Sequence, residues 1–257
     1  MRRAGLSNPH CGPKRARLVT RVTRRAWPAF DATKSGVTGR RPTCLICLRA
    51  HCVCACLRRP GVPAPTPVAL LVLQHPGELR HTKGTARLLH LAVAGSRLLV
   101  GPAWPEWVPD AETRTDGTIR TTPATSRRDL LLYPATPGDS ALPAPPPLDP
   151  AWLADPGRLR LVVIDGTWRK ARRMLCDSPW LQSLPRWSLQ GVAPGRYRIR
   201  RARGAGQLST FEAAVHALHQ LAPTADGLAA LWPVFDDFVE QQAQRRVQRP
   251  PADPSAL

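Results

Sequence analysis

The chain has 257 residues, 43% of them hydrophobic, and a net charge of +19. That length gives one or two domains with a real core. No run approaches the ~20 apolar residues of a membrane helix, and the opening MRRAGLSNPH has no apolar secretory core, so neither a membrane-spanning nor a secreted protein is expected, and the cytoplasm is the expected compartment. Thirty-seven Lys and Arg against 18 Asp and Glu point instead to a polyanionic partner. Only Lys14, Lys34, Lys83 and Lys170 are lysines. The rest are arginines, whose forked guanidinium suits phosphates and bases.

Residues 1–41 hold eleven Arg or Lys and one acid, Asp31, with little apolar periodicity. They read as a basic disordered tail, with an Arg-rich transit peptide as the alternative. Residues 42–60 contain five cysteines within thirteen positions, CLICLRAHCVCAC. Cys44-x-x-Cys47 and Cys52-x-Cys54 supply four thiolates, a set that suits a closed tetrahedral zinc site. Cys56 and His51 are substitute ligands. A redox pair at Cys44 and Cys47, an iron–sulfur cluster, or a group of small buried hydrophobes are the other readings.

Residues 61–246 carry alternating strand and helix signals. Val68–Gln74 is a continuous apolar run of strand length, followed by the polar loop HPGELRHTKG and a short helix over Thr85–Val93. Ser96–Gly101 predicts a second strand, residues 101–128 lack periodicity, and Asp129–Pro134 predicts a third strand. Seven prolines in residues 134–150 mark a stiff linker or surface loop outside the core. Arg160–Gly166 is the strongest strand. In the helix Thr167–Leu175, Trp168, Ala171, Met174 and Leu175 share one face, and Arg169, Lys170, Arg172 and Arg173 share the other. Arg196, Arg198 and Arg200 alternate with Tyr197, Ile199 and Arg201 along an extended segment. Ser209 and Glu212 form a capping box before a helix ending near Ala222. A last helix spans Asp226 to about Arg246, kinked or restarted at Pro233, and residues 247–257 read as a disordered tail. The pattern predicts an α/β fold with a mostly parallel sheet and flanking helices.

Polar residues close two of the apolar strands: His75, Pro76, Gly77 and Glu78 after the first, and Asp165, Gly166, Thr167 and Trp168 after the strongest. Open α/β sheets bind ligands beyond such carboxyl ends. From spacing alone, Asp165 reads first as an ordinary cap of the helix that follows it. Thr167 could share that duty, and Trp168 could belong to the core.

Four segments in order resemble the DTW-domain proteins, a family of tRNA-uridine aminocarboxypropyltransferases: CLICLRAHCVC, LQHPGELRHTKGTARLLHLA, VVIDGTWRKARRM with Asp165-x-Thr167-Trp168, and YRIRRARGAGQLSTFEA. The resemblance covers residues 42 to about 240. It implies a SPOUT-like domain with a C-terminal knot, S-adenosylmethionine as co-substrate, and tRNA as the partner. It implies transfer of the 3-amino-3-carboxypropyl group to N3 of a uridine. Asp165 is then the expected general base. His75, Pro76, Glu78, Thr85, Thr167, Trp168, Ser209, Thr210 and Glu212 are expected around the co-substrate. Its carboxylate would meet Lys83, Arg87 or the helix start at Ser209-Thr210. Arg169, Lys170, Arg172, Arg173, Arg196, Arg198, Arg200 and Arg201 are expected to hold RNA phosphates. A SPOUT-type RNA methyltransferase and a non-catalytic zinc-containing RNA-binding protein are the competing expectations.

Overall fold

The computed structural model describes residues 43–44, 47–49, 63–104, 111–113, 119–121, 127–136, 138–197 and 207–247. Five strands form one parallel sheet: β1 (Ala69–Gln74), β2 (Arg97–Val100), β5 (Arg128–Leu132), β6 (Leu159–Asp165) and β7 (Arg186–Trp187), in the order β2-β1-β6-β5-β7. Two short strands, β3 (Ala111–Thr113) and β4 (Ile119–Thr121), pair antiparallel as a separate hairpin. The helices are α1 (Ala86–Ala92), α2 (Trp168–Cys176), α3 (Pro179–Gln182), α4 (Thr210–Leu221) and α5 (Leu231–Val247).

The three apolar central strands have no polar face because helices cover both sides. Leu70, Val72, Leu130, Leu161 and Val163 pack with Leu88 and Leu89 of α1, Phe211, Val215 and Leu218 of α4, and Phe235 and Phe238 of α5. On the opposite side Leu71, Leu73, Leu131 and Val162 pack with Met174 and Leu175 of α2 and Leu181 of α3. The alternation follows the two-residue period of a strand. The result is a three-layer α/β/α arrangement, as the strand and helix pattern predicts. At the amino ends, Asp129 stands opposite Arg160 in the β5–β6 ladder. The buried pair is bidentate, at 2.6 and 2.7 Å. This fixes the register of β5 on β6 at the end away from Asp165.

Three expectations are corrected. Trp168 is 59% exposed, so the buried stripe of α2 is Ala171, Met174 and Leu175 alone. The proline-rich segment is not wholly surface, since Leu142 is buried against Tyr133, Met174 and Leu181. The last helix restarts at Leu231, two residues before the expected Pro233. A separate 3-10 turn spans Asp226–Ala230, and α5 starts at Leu231 with Pro233 in its first turn, where the missing N–H would have no partner anyway. The hairpin β3–β4, the short strand β7 and the single-turn α3 were not legible from periodicity, being two to four residues long. Residues 198–206 lie outside the described residues, as do residues 1–42 and 248–257.

Candidate active site

β1 and β6 are neighbours, but their connections diverge. The chain leaves β1 through α1 to β2 on one side. It leaves β6 through α2 and α3 to β7 on the other. Such a reversal opens a crevice at the carboxyl ends of the two strands, where open α/β sheets bind ligands. The ends that meet there are Gln74 and Asp165, partners in the ladder.

Asp165 is 5% exposed. Its Oδ2 accepts from Gln74 Nε2 at 2.8 Å, and its Oδ1 accepts from the Thr210 hydroxyl at 2.6 Å. Its carbonyl accepts from His75 N at 2.9 Å, extending the ladder by one rung. The carboxylate therefore ties β1, β6 and the start of α4 together. It does not cap α2, because the Thr167 hydroxyl accepts from Lys170 N and takes that position. Gly166 allows the close turn: a Cβ there would meet Lys170 Cβ at 3.2 Å and Ala171 N at 3.5 Å.

After β1 the chain makes a 3-10 turn, Pro76–Glu78, with Pro76 at its first positions. His75 Nδ1 accepts from Gly77 N at 2.9 Å and caps the turn. Burial and the neighbouring Lys170 ammonium hold the His75 imidazole below its usual pKa, so it stays neutral and keeps Nδ1 as an acceptor. Glu78 meets Lys170 Nζ at 2.6 Å. That ion pair joins the turn to α2. Lys170, expected among the phosphate ligands, is thus paired with Glu78. A Cβ on Gly77 would stand 3.1 Å from the Lys170 ammonium and 3.2 Å from the His75 ring.

The start of α4 is held by several contacts within the protein. Ser209 and Glu212 make the reciprocal capping box. Thr85, buried at the head of α1, accepts from Phe211 N at 3.2 Å. Glu212 also accepts from Arg196 N. Ser209, Glu212 and Thr85 thus hold the helix end in place, and Thr210 turns its side chain to the Asp165 carboxylate. The amides of Phe211 and Glu212 are both taken by side chains of the protein.

Beyond Asp165 lies the exposed indole of Trp168, its ring set edge-on against Tyr133 at 6.0 Å. Arg169 is exposed beside it and makes no ion pair among the described residues. The other expected phosphate ligands are already paired: Arg172 bidentately with Asp139 at 2.6 and 2.7 Å, Arg173 with Asp177 at 2.9 Å, and Arg196 with Asp236 at 3.1 Å and over the Trp232 ring. Arg198, Arg200 and Arg201 lie outside the described residues.

Cys44 and Cys47 are buried, and their turn is closed by Leu48 N to Cys44 O at 2.9 Å and Cys44 N to Arg49 O at 2.7 Å. Leu48 adopts a positive φ of 55° within it. Arg49 anchors the turn on the α/β body: it donates to the Gly84 carbonyl and lies over the Phe238 ring at 4.4 Å. Cys52 and Cys54 lie outside the described residues, as do Cys56 and His51. Among the described residues no group of three or more His, Cys, Asp or Glu stands close enough to hold a metal.

Four of these contacts escape periodicity reasoning: Gln74, Tyr133, Arg49, and Lys170 as the partner of Glu78. Gln74 alone carries a signal in sequence, a polar residue at the end of an otherwise apolar strand, where burial requires a partner.

The profile of the DTW domain matches residues 41–243. The chain is 32% identical over 195 residues to tRNA-uridine aminocarboxypropyltransferase 2 of Drosophila melanogaster, covering 75% of this chain and 72% of that protein. It is 28% identical over 159 residues to tRNA-uridine aminocarboxypropyltransferase A of Arabidopsis thaliana, covering 53% of this chain and 51% of that protein, so the match spans about half of the plant relative. No solved structure matches.

Proposed function

The chain belongs to the DTW domain family, and from that membership we propose that it transfers the 3-amino-3-carboxypropyl group of S-adenosylmethionine to N3 of a uridine in tRNA. The observation that carries the reading is the convergence of the motif segments on one crevice, with Asp165 buried between Gln74 and Thr210.

In this reaction the uridine N3 lone pair forms a bond to the γ-carbon of the methionine chain. The carbon–sulfur bond breaks, its electron pair neutralises the sulfonium, and 5′-methylthioadenosine leaves. The N3 proton passes to a base. Asp165 is a buried carboxylate that accepts from Gln74 and Thr210. Its neighbours hold it still, which suits a general base whose geometry must be fixed before attack. The sulfonium is already a good leaving group, so orientation is the main task of the site. The exposed Trp168 offers a flat apolar face for the adenine, and Thr167 orders the backbone that presents it.

The basic surface supports the tRNA part of the reading. Net charge is +19, and a protein that neutralises phosphates gains affinity by releasing counterions. Arg169 is the exposed arginine nearest the motif. Arg198, Arg200 and Arg201 extend this proposal to the basic stretch before α4. We assign the doubly wound sheet to a SPOUT-like scaffold on the same grounds of family resemblance, and the cytoplasm as the place of action because the substrate is tRNA. No helix among the described residues is long and apolar enough to cross a membrane.

The deciding experiment incubates purified protein with tRNA and S-adenosylmethionine and analyses both nucleosides and small molecules by mass spectrometry. Aminocarboxypropyl-uridine with stoichiometric methylthioadenosine is expected. Methylated nucleoside with S-adenosylhomocysteine would make it a methyltransferase, and binding without turnover would make it an RNA-binding protein.

A further inference from the structure

A cleft of about 490 Å³ lies beside the candidate active site, between the segment 135–145 and Arg186 of β7. That volume falls in the range of small-ligand sites, roughly 300 to 1,000 Å³. Its lining includes Ala135, Pro143, Ala144 and Pro145, with Thr136 and Arg186 as polar groups. Asp139 is also at its rim, but the Arg172 fork holds both carboxylate oxygens, so its charge is neutralised.

Arg186 remains as the net charge of the cleft. Its Nη1 donates to Thr136 Oγ1 at 2.7 Å, and its guanidinium lies over the Tyr133 ring at 5.4 Å. Its Nη2 is buried without a hydrogen-bond partner among the described residues. A buried guanidinium nitrogen lacking an acceptor is costly unless a ligand supplies one. The same Tyr133 ring meets Trp168. The aromatic pair therefore links the cleft to the Asp165 crevice along the carboxyl edge of the sheet.

Resting on the tRNA-modifying reading, we propose that this cleft receives a nucleotide flanking the modified uridine, its base or ribose on the alanine and proline wall and its phosphate on Arg186. A single strand that presents one base at Asp165 must carry its neighbours somewhere, and the cleft is one aromatic step away. Apolar walls with one cation match a nucleotide better than a fully anionic or fully apolar ligand. Bases are received on flat apolar faces and phosphates on arginine.

Two variants test this. Ala144→Trp fills the cleft from its exposed rim and leaves every described ion pair in place. Arg186→Gln removes the charge but keeps a donor for Thr136. Both are assayed by titration with unfractionated tRNA across a salt series, by S-adenosylmethionine binding and by thermal melting. The expected result is at least tenfold weaker tRNA binding for each, with melting and S-adenosylmethionine affinity unchanged. Arg186→Gln should also lower the slope of log affinity against log salt by about 1. Wild-type tRNA affinity and slope in both variants, with intact transfer, would overturn the cleft proposal alone. A wild-type protein that binds tRNA through the cleft yet releases no methylthioadenosine would overturn the transferase reading alone. Equal loss of tRNA and S-adenosylmethionine binding together with lowered melting would show Arg186 to be a structural residue and overturn its phosphate role.

Discussion

Gln74 and Asp165, ninety-one positions apart, end two adjacent parallel strands and share a 2.8 Å hydrogen bond from amide to carboxylate. Neither strand periodicity nor helix capping requires this bond. It exists because two buried polar groups at the ends of apolar strands satisfy one another. The bond makes Gln74 a positioning residue for the carboxylate that the proposed chemistry needs.

Replacing Gln74 with Leu should leave a folded protein that is less stable by about 1 to 3 kcal/mol, the usual cost of a buried acceptor left unmade. The transfer rate constant should fall at least tenfold while the S-adenosylmethionine dissociation constant stays within twofold. Denaturant unfolding and single-turnover kinetics check both. A stability loss with unchanged single-turnover rate would confine Gln74 to structure.

Asp165→Asn is the direct test of the base. Loss of a helix cap cannot explain its effect, because Thr167 caps α2. The new amide can also be accommodated, since Gln74 Oε1 is buried without a hydrogen-bond partner among the described residues and can accept from it after a side-chain flip. Circular dichroism and tRNA binding should therefore match wild type, while transfer at saturating substrates falls by about a hundredfold to ten-thousandfold. Transfer within a few-fold of wild type would refute the base assignment. Recovery on raising S-adenosylmethionine would make Asp165 a binding residue.

Trp168→Ala should barely change stability, because the indole is 59% exposed and its described ring contact is one edge-on meeting with Tyr133. Loss of stacking on a base typically costs about 1 to 3 kcal/mol, so S-adenosylmethionine should bind roughly 5- to 150-fold more weakly, by isothermal titration. Trp168→Phe should restore most of that affinity. Weakened tRNA binding with unchanged S-adenosylmethionine affinity would assign the indole to the uridine.

Stability should decline as pH falls below about 6.5. The folded-state pKa of His75 lies below its ordinary value because of burial and Lys170. His216 is shifted the same way, chiefly by burial. The unfolded chain therefore takes up protons that the folded chain does not, so the stabilisation is present above the unfolded value and lost as pH drops through it. Asn can cap the Pro76 turn without titrating, so His75→Asn should fold normally and show a shallower fall of melting temperature between pH 7.5 and 5.5. An unchanged pH slope would remove His75 from the effect.

We propose a structural zinc on Cys44, Cys47, Cys52 and Cys54, supported by the burial and hydrogen-bonded turn of the first pair. About one zinc per chain is expected by elemental analysis, together with a lower melting temperature after chelation, because Arg49 couples this turn to Gly84 and Phe238. Metal-free protein with unchanged melting and fully titratable thiols would exclude it.

The continuous apolar runs ending at Gln74 and Asp165 were legible as buried parallel strands because a strand covered on both faces has no polar side. The capping box at Ser209 and Glu212 was legible because its two bonds span only three residues. The residues expected around the co-substrate divide in a way that local pattern could not supply. Ser209, Glu212 and Thr85 fasten α4, and Glu78 fastens Lys170. Trp168 turns outward although its spacing fits the buried stripe of α2. Three arginines of the basic faces meet carboxylates whose positions in sequence give no hint of them, except for the Arg173–Asp177 pair one helical turn apart. Local sequence determines which segments become strands and helices, since period and capping act over a few residues. Which polar side chains meet across 45 or 91 positions, as Thr210 and Gln74 do at Asp165, depends on the strand order of the sheet. Only the packed tertiary structure sets that order.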